Sequence, residues 1–286
     1  MKGIDYTIVC PSQSQFAMEL MKRLHTLFIA KIIHFYKEVG STQDLAISLV
    51  KKKLENVHGT VIIAERQRNG KGRIDRKWIS PKGGVWLSVI LKPKIKAAQA
   101  TLLPIVAALA VCDTINQKTN LNSKIKWPND IVIEGRKVSG TLADISIDNE
   151  NIEYVVIGIG INANVNVSKI IRYVSNNICP KPGTLKITSL KKELSGKNVN
   201  ITDLTQMLLE KLEYYYTQLE KNFARSIMQK CRERSETLNN LVFVEQQNES
   251  FEGTAIDIDS DGALLVKKSD NNIYRVIAGD ALVRKK

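Results

Sequence analysis

The periodicity of apolar residues changes near residue 238, and this change divides the 286-residue chain into two parts. Before it, apolar positions recur at helical spacing or form short continuous runs. After it, short stretches of alternating apolar and polar residues are separated by turn signals such as Ser260-Asp261-Gly262. Such alternation predicts strands, because successive side chains of a strand point to opposite faces. We therefore expect a mixed α/β domain over residues 1–237, with 1–30 unassigned, and a small β domain, a barrel or meander, over 238–286.

The first part contains the periodicities of both helices and strands. Ser41 followed by Asp44 matches a capping signature and predicts that a helix begins there. A mostly apolar helix is predicted over 102–115 and a long amphipathic helix over 203–223. Residues 166–198 are predicted to be largely loop. The predicted strands are Thr60–Ala64, Val85–Leu91, Ile125–Ile133, Lys137–Ile147, joined to the preceding strand by a turn at Glu134-Gly135, and Tyr154–Ile161.

Composition and charge limit the functional classes. Hydrophobic residues make up 43% of the chain and charged residues 25%, which excludes wholesale disorder. The net charge of +13 points to an anionic ligand or partner. The four cysteines are far apart, and the three histidines are scattered, so neither a metal centre nor a disulfide framework is predicted. No stretch reaches the roughly 18–20 apolar residues of a spanning helix and the N-terminus is a poor signal peptide, so we expect a cytoplasmic protein with reduced thiols.

A basic, glycine-bearing segment follows the strand over 60–64. Between residues 64 and 78 it carries six cationic side chains, which are Arg66, Arg68, Lys71, Arg73, Arg76 and Lys77. Glycine lets backbone N–H groups approach an anion, and the guanidinium group of arginine offers paired donors. Charge alone is equally typical of a solvated loop or a nucleic-acid patch.

Two further motifs accompany this segment. Lys126-Trp127-Pro128-Asn129-Asp130 interrupts a strand and supplies an amide and a carboxylate that can accept hydrogen bonds or hold a metal ion. Alone, this motif would be an ordinary turn. Gly158 and Gly160 alternate within an apolar strand and remove side chains from one face, so that a flat ligand can lie against the backbone. Close packing of another protein element is the alternative. The spacing is not that of a dinucleotide-binding fingerprint.

In this order, the segments resemble those of the biotin protein ligase family. The matching segments are Gly40-Ser41-Thr42, Gly70-Lys71-Gly72-Arg73 with Arg76-Lys77-Trp78, Lys126 to Asp130, Lys137 with Gly140, Gly158 with Gly160 and Asn162, Thr188-Ser189-Leu190 and Gly279-Asp280. The resemblance extends from about residue 30 to the end of the chain. It implies an α/β catalytic domain with a mixed sheet, related to class II tRNA synthetases and lipoate ligases, followed by an SH3-like β-barrel.

The resemblance also implies a two-step reaction. Biotin and Mg-ATP form biotinyl-5′-adenylate and pyrophosphate, and the biotinyl group then passes to a lysine on the biotin carboxyl carrier domain of a carboxylase. Some relatives add an N-terminal DNA-binding domain and repress genes. Only about 38 residues precede Gly40 here, so we expect the form without that domain. Relatives are often dimeric, and a homodimer is expected.

Site residues follow from the same resemblance. Lys137 and Arg73 are the predicted catalytic residues, because positioned cations offset the repulsion between a carboxylate and an α-phosphate. The predicted biotin-binding residues are Ser41, Thr42, Gln43, Gln67, Lys71, Gly72, Arg73, Lys137, Gly140, Gly158 and Gly160. The predicted ATP-binding residues are Arg73, Arg76, Trp78, Asn129, Asp130, Lys137 and Asn162. Asp130 is also assigned to Mg²⁺ and as a proton acceptor. Residues 68–76 are expected to form a mobile lid over the intermediate.

The sequence departs from the family pattern at Lys71, where an arginine is common. A lysine preserves backbone contacts but not a bidentate side-chain contact, so looser retention of the intermediate is expected. No tryptophan lies within 166–190 to cover the adenine, and Tyr173 is the candidate there. Two alternatives remain open: a lipoate or other acyl ligase, and a basic nucleic-acid-binding protein on the same scaffold. The second lacks a visible base-stacking array.

Overall fold

The computed structural model describes residues 7–9, 14–53, 56–74, 76–178, 186–246, 250–277 and 279–284, and contains both strands and helices. The strands are β1 (Thr7–Val9), β2 (Ile32–Tyr36), β3 (Val61–Ala64), β4 (Val85–Leu91), β5 (Ser123–Lys126), β6 (Asp130–Ile133), β7 (Arg136–Asp148), β8 (Asn151–Ile161), β9 (Leu241–Glu245), β10 (Ser250–Ile258), β11 (Leu264–Lys267), β12 (Ile273–Val276) and β13 (Asp280–Arg284). The helices are α1 (Gln15–Arg23), α2 (Thr42–Lys51), α3 (Leu103–Thr119), α4 (Val167–Ile178), α5 (Leu190–Glu193), α6 (Ile201–Glu220) and α7 (Ala224–Glu233), with a 3₁₀ helix over Ala97–Leu102.

Eight strands form a mixed sheet in the order β1-β2-β3-β4-β8-β7-β6-β5. β1, β2 and β3 are parallel neighbours, and the remaining pairs are antiparallel. Helix α2 covers β3, β4 and β8 on one face, whereas α3 and α6 belong to the main hydrophobic core on the other. This arrangement confirms the predicted mixed α/β fold.

Two predicted helix starts agree with the structure. Ser41 is the N-cap of α2, and its hydroxyl oxygen accepts a hydrogen bond from the Asp44 N–H at 3.3 Å. Pro104 lies in the first turn of α3, where its missing N–H is not needed. The sequence pattern therefore located the helix that begins at the first matching motif.

Helix α3 corrects the expectation that no segment is long and apolar enough to cross a membrane. By length and composition alone, the helical segment Ala97–Thr119 meets that requirement. However, 78% of its most apolar window is buried inside the protein. Asp113, the acidic residue within it, accepts hydrogen bonds from Tyr215 of α6 and from Arg234, which directly follows α7. The segment has the environment of a core helix.

Two predictions of local structure were wrong. The single strand predicted over Ile125–Ile133 is two antiparallel strands, β5 and β6, with Trp127-Pro128-Asn129 between them. Proline has no N–H to donate to a ladder, so the chain turns there. The predicted loop over 166–198 contains α4, which packs Ile170 and Val174 near Trp86.

The C-terminal strands form a second, antiparallel sheet in the order β12-β11-β10-β9-β13. Strand β13 returns to pair with β9, which is consistent with the predicted SH3-like fold. The alternating pattern predicts strands over Leu241–Glu245, Gly253–Ile258, Ala263–Val266 and Tyr274–Ile277, which correspond to β9 to β12, whereas β13 was not predicted. The sheet attaches to the larger domain through Trp127, whose indole N–H donates to the Gly262 carbonyl at 2.9 Å. An ion pair between Arg232 and Asp257, at 2.6 Å, supports the same junction.

Candidate active site

The floor of the predicted site is a patch of the large sheet that lacks side chains. Gly140 on β7 lies opposite Gly160 on β8. Across the other edge of β8, Gly160 and Gly158 lie opposite Trp86 and Ser88 of β4. Directly opposite residues of antiparallel strands project to the same face of a sheet. The three predicted glycines therefore share one face, which is the face that α2 covers in part.

The indole of Trp78 lies on this floor. A Cβ atom added to Gly160 would be 2.5 Å from the indole Nε1, and one added to Gly140 would be 3.3 Å from Cζ3. The Nε1 atom is buried and has no hydrogen-bond partner among the residues that the structure describes. The ammonium group of Lys137 lies 5.0 Å from the ring centroid. The glycines thus make room for an aromatic wall with one donor left to use.

The space at Gly158 is occupied by Gln43. A Cβ atom at Gly158 would be 2.5 Å from the amide oxygen of Gln43. The Gln43 side chain is buried, and its nitrogen donates to Asp144 Oδ2 at 2.6 Å and to the Val156 carbonyl at 2.9 Å. The structure thus places Gln43 and Gly158 together within the predicted biotin region, with the Gln43 hydrogens used inside the protein.

The side chain of Gln67 meets Thr42 at the start of α2. The amide oxygen of Gln67 accepts from the Thr42 N–H at 2.8 Å, and its nitrogen donates to Ser80 Oγ at 2.9 Å. The Thr42 hydroxyl lies 2.9 Å from the hydroxyl of Ser88. The structure therefore brings together Thr42 and Gln67, which were predicted to bind the same ligand. Sequence analysis missed Ser88, although a serine inside the apolar run of β4 is a detectable signal.

The basic segment folds back on itself as a hairpin. The Trp78 N–H donates to the Gly70 carbonyl at 2.8 Å, and the Gly72 N–H donates to the Arg76 carbonyl at 2.7 Å. Arg76 is exposed near the tip, two positions after Ile74, whose φ is 52°. This geometry presents several cationic side chains beside the floor. That the hairpin moves as a lid remains a prediction.

Arg73 and Lys71 of this hairpin have different kinds of partner. Arg73 donates to the Asn129 side-chain oxygen at 3.0 Å and to the Gly279 carbonyl at 3.1 Å. It therefore links the hairpin to the Lys126–Asp130 motif and to the C-terminal sheet. Lys71 instead forms an ion pair with Asp44 of α2 at 2.6 Å.

Lys137 occupies the centre of the arrangement. Its ammonium group forms an ion pair with Asp130 at 2.6 Å, and the two side chains are 32% and 23% exposed. Asp130 begins β6 and Lys137 lies near the start of β7, so the hairpin between these strands positions the pair. A partly exposed cation at this place can offset negative charge on a bound ligand.

The two predicted asparagines are buried and hydrogen-bonded to the main chain. Asn129 donates to the Thr141 carbonyl, and its oxygen accepts from Arg73. Asn162 donates to the Thr188 carbonyl at 3.1 Å. Both lie where a strand of the site begins or ends, so they fix the shape of the site. Their contacts with ATP remain predictions.

The segment over 186–193 is fastened along β7. Arg136 donates two hydrogen bonds to Glu193, at 3.1 and 2.8 Å, and the Lys137 N–H donates to the Lys186 carbonyl at 2.6 Å. Burial acts to raise the pKa of Glu193, but hydrogen bonds from Arg136 and Thr188 outweigh it, so this pKa lies below its ordinary value. The backbone that carries Lys137 is thereby held from both sides.

Other chemically active groups lie apart from this site. Cys112 and Cys231 are free and buried, and burial raises the pKa of these thiols to about 11 and about 12. They are therefore poor nucleophiles at neutral pH. Cys10 and Cys179 lie outside the described residues. Within the described ranges, no three His, Cys, Asp or Glu side chains converge as a metal site. A cavity of about 170 Å³, lined by Phe16 among others, contains none of the predicted site residues.

Comparison with known proteins assigns both parts of the chain. Residues 37–162 match the model of the biotin/lipoate A/B protein ligase family, and residues 237–284 match that of the biotin protein ligase C-terminal domain. Together the two models cover more than half of the chain, in the order seen in sequence. The chain belongs to the biotin protein ligase family. The C-terminal match favours this assignment over a lipoate ligase.

Individual relatives agree with this family. The chain is 29% identical over 275 residues to the bifunctional ligase/repressor BirA of Bacillus subtilis, covering 92% of this chain and 77% of that protein. It is 26% identical over 208 residues to the biotin–[acetyl-CoA-carboxylase] ligase of Paracoccus denitrificans, covering 72% and 83%. Among solved structures, the biotin protein ligase from Aquifex aeolicus in complex with biotin and ATP superposes with a TM-score of 0.71 and 25% identity. That superposition covers 89% of this chain and 99% of the other.

Proposed function

We propose that this family member is an ATP-dependent biotin protein ligase, which forms biotinyl-5′-AMP and transfers the biotinyl group to a carrier lysine. The observation that carries the proposal is the position of Lys137. Its ammonium group is paired with Asp130 and lies beside the Trp78 indole, which rests on Gly140 and Gly160. The relatives and the ligand-bound solved structure support the same activity.

In the first step, an oxygen of the biotin carboxylate attacks the α-phosphorus of ATP, and the bond from that phosphorus to the bridging oxygen breaks. Pyrophosphate leaves. Two anionic groups must meet, which costs about 1 kcal/mol at the dielectric of water and about 4 kcal/mol at an effective value of 20. A positioned cation that acts in the transition state contributes on the order of 3 kcal/mol. Lys137 and Arg73 are the residues that we assign to this role.

In the second step, a neutral lysine amine of the carrier attacks the acyl carbon of the adenylate. The bond from that carbon to the phosphate oxygen breaks, AMP leaves, and the amine loses a proton. Asp130 is the carboxylate placed to accept this proton once Lys137 has shifted from it toward phosphate oxygens. The acceptor that we propose is the biotin carboxyl carrier domain of a carboxylase, the usual substrate of such ligases.

Magnesium fits this site as a companion of ATP. Mg²⁺ in nucleotide sites is typically held by one or two carboxylates together with phosphate oxygens. Asp130 offers one partly exposed carboxylate of that kind. When bound, the ion supplies charge neutralisation on the phosphates. A cytoplasmic location and a homodimer stay predictions from the sequence.

The test is exchange of labelled pyrophosphate into ATP, which needs no carrier protein. We expect exchange with biotin and none with lipoate. Lys137→Ala should reduce the rate at least a hundredfold, in line with about 3 kcal/mol of lost stabilisation. Lys124→Ala is the matched control, because Lys124 is a 43%-exposed lysine on β5, which is separated from β7 by β6. Exchange with lipoate alone would move the assignment to a lipoate ligase, and no exchange with either acid would contradict an adenylating enzyme.

A further inference from the structure

A chain of hydrogen bonds runs from the predicted ligand pocket into the sheet. It begins at half-buried Gln67, passes through Thr42 and Ser88, reaches Gln43 and ends at Asp144. Ser88 is fully buried, and Thr42 and Gln43 are each 3% exposed. The inner members of this chain are therefore shielded from solvent, and their hydrogens must be used within the protein.

The orientation of the Gln43 amide is fixed by its acceptors. Its nitrogen has two hydrogens, and these go to Asp144 Oδ2 at 2.6 Å and to the Val156 carbonyl at 2.9 Å. A carboxylate and a carbonyl accept hydrogen bonds and cannot donate them. The reversed amide would place its oxygen against both, so the oxygen of Gln43 must face Ser88.

This orientation determines the hydrogens further along the chain. The Ser88 hydroxyl donates to the Gln43 oxygen at 2.9 Å, so Ser88 has no hydrogen left for Thr42. The hydroxyl hydrogen of Thr42 is then directed to Ser88 at 2.9 Å or to the Gln67 oxygen at 3.0 Å. A hydroxyl has only one hydrogen, and both possible acceptors lie inside this chain.

The Gln67 amide is oriented in the same sense. Its nitrogen donates to Ser80 Oγ at 2.9 Å, while Ser80 donates to the Trp78 carbonyl at 3.1 Å. Its oxygen accepts from the Thr42 N–H. With the Thr42 hydroxyl donating to Ser88, Thr42 Oγ1 and Gln67 Oε1 each keep a lone pair, and neither atom offers a hydrogen to a ligand.

We propose that Asp144 is a positioning residue that sets this acceptor pair, acting through Gln43 and Ser88. The proposal rests on the proposed function and names its specificity: two acceptors suit the two N–H groups of the cyclic urea in biotin. A dithiolane ring has no such donors. A bound dithiolane would leave both acceptors buried without a hydrogen-bond donor, and this energetic cost lets the site discriminate against it. Gln43, predicted to bind biotin directly, acts in this scheme from behind the pocket.

The experiment measures KM for biotin, KM for ATP and kcat in pyrophosphate exchange. Asp144→Leu removes the acceptor at nearly constant size, and Asp144→Ala serves if the leucine variant does not fold. We expect an approximately tenfold rise in KM for biotin, with kcat and KM for ATP within about twofold. Asp144→Asn keeps an oxygen for Gln43 and should restore most of the affinity. Asp148→Leu is the matched control, since Asp148 is exposed at the end of the same strand and accepts a hydrogen bond from the neighbouring Asn149.

A double-mutant cycle separates this role from a general packing effect. In a Ser88→Ala background the relay is interrupted, so Asp144→Leu should change KM for biotin by less than about twofold. An undiminished effect in that background, an unchanged KM for biotin in a folded variant, or an equal rise in KM for ATP would each overturn the proposal. Exchange by the wild-type protein distinguishes failure of the proposed function from failure of the role assigned to Asp144. If the wild type shows no exchange with biotin, the proposed function fails and this assignment fails with it. If the wild type is active and Asp144→Leu leaves KM for biotin unchanged, only this assignment is rejected.

Discussion

At the scale of single residues, Gly160 and Gly140 lie opposite each other on the adjacent strands β8 and β7 but should tolerate an added methyl group differently. A Cβ atom at Gly160 would be 2.5 and 2.8 Å from ring atoms of Trp78, an aromatic group that cannot flex away. At Gly140 the nearest atom, at 3.2 Å, belongs to the flexible Lys137 side chain. Gly160→Ala should therefore lower the free energy of unfolding by about 1–3 kcal/mol, and Gly140→Ala by less than about 1 kcal/mol. Urea denaturation followed by tryptophan fluorescence measures both.

The destabilisation by Gly160→Ala comes from contact with the Trp78 ring, so removing the ring should abolish it. In a Trp78→Ala background the added methyl group has no ring to meet, and the cost of Gly160→Ala should fall below about 0.5 kcal/mol. An equal cost in both backgrounds would mean that strand β8 itself rejects the side chain. Sequence reasoning identified these glycines but left two occupants open. The structure fills the space with Trp78 and Gln43, which no strand pattern could have specified because both come from distant segments.

At the scale of elements, the segment over 186–193 depends on the Arg136–Glu193 pair. A carboxyl whose pKa is lower in the folded chain stabilises it above the unfolded-state pKa, and this contribution disappears as pH falls through the folded-state pKa. We expect Glu193→Gln to lower the free energy of unfolding by roughly 1–3 kcal/mol at neutral pH. The difference from wild type should shrink below about pH 4, the range of an ordinary glutamate. Unfolding in urea at several pH values gives the comparison.

Glu134 provides the matched control for this pair. Its carboxylate also contacts Arg136, at 2.8 Å, but its side chain is 75% exposed. Glu134→Gln should therefore change the free energy of unfolding by less than about 0.5 kcal/mol at any pH. If the Glu193→Gln loss were the same at acid and neutral pH, shape rather than charge would hold the segment.

How far the sequence specified these elements depended on whether the signal was local. The cap at Ser41 and the turn at Glu134-Gly135, where both residues have positive φ, are decided by neighbouring residues and were predicted. Helix α4 was not predicted because the Pro and Gly residues that follow it in the sequence indicate a loop. Its own apolar residues at Val167, Ile170 and Val174 have helical spacing. The sequence predicted an interruption at Lys126–Asp130 but not that the two halves of Ile125–Ile133 pair with each other as the antiparallel strands β5 and β6.

The same distinction applies to the site. The motifs named Lys137, Asp130 and Trp78, and the structure brings these three together. Ser80, Ser88 and Asp144 belong to no motif, and they were not predicted. Their importance depends on hydrogen bonds to residues that lie up to about a hundred positions away, such as Gln43 with Asp144. Contacts at that separation are set by sheet register, which a single sequence does not specify.

At the scale of the whole molecule, the net charge of +13 has a consequence for the second step. The exposed cations Arg76 and Lys77 lie at the hairpin beside the site, so positive potential is placed where a carrier must dock. An acidic carrier domain should be steered there, and salt should screen this attraction. Between about 20 and 150 mM salt, we expect kcat/KM for the carrier to fall on the order of tenfold.

Steering acts on the encounter of the carrier with the enzyme, whereas acyl transfer takes place after the carrier has docked, and the two can be measured separately. Single-turnover transfer from preformed biotinyl-5′-AMP, at limiting carrier, reports the encounter. At saturating carrier the same reaction reports chemistry and should vary with salt by less than about twofold. If the transfer rate depended equally on salt at limiting and at saturating carrier, salt would be acting on charges within the site, such as Arg73 or Lys137. Long-range electrostatic attraction of the carrier would then not be the cause. A flat response in both would mean that the excess charge has no part in choosing the partner.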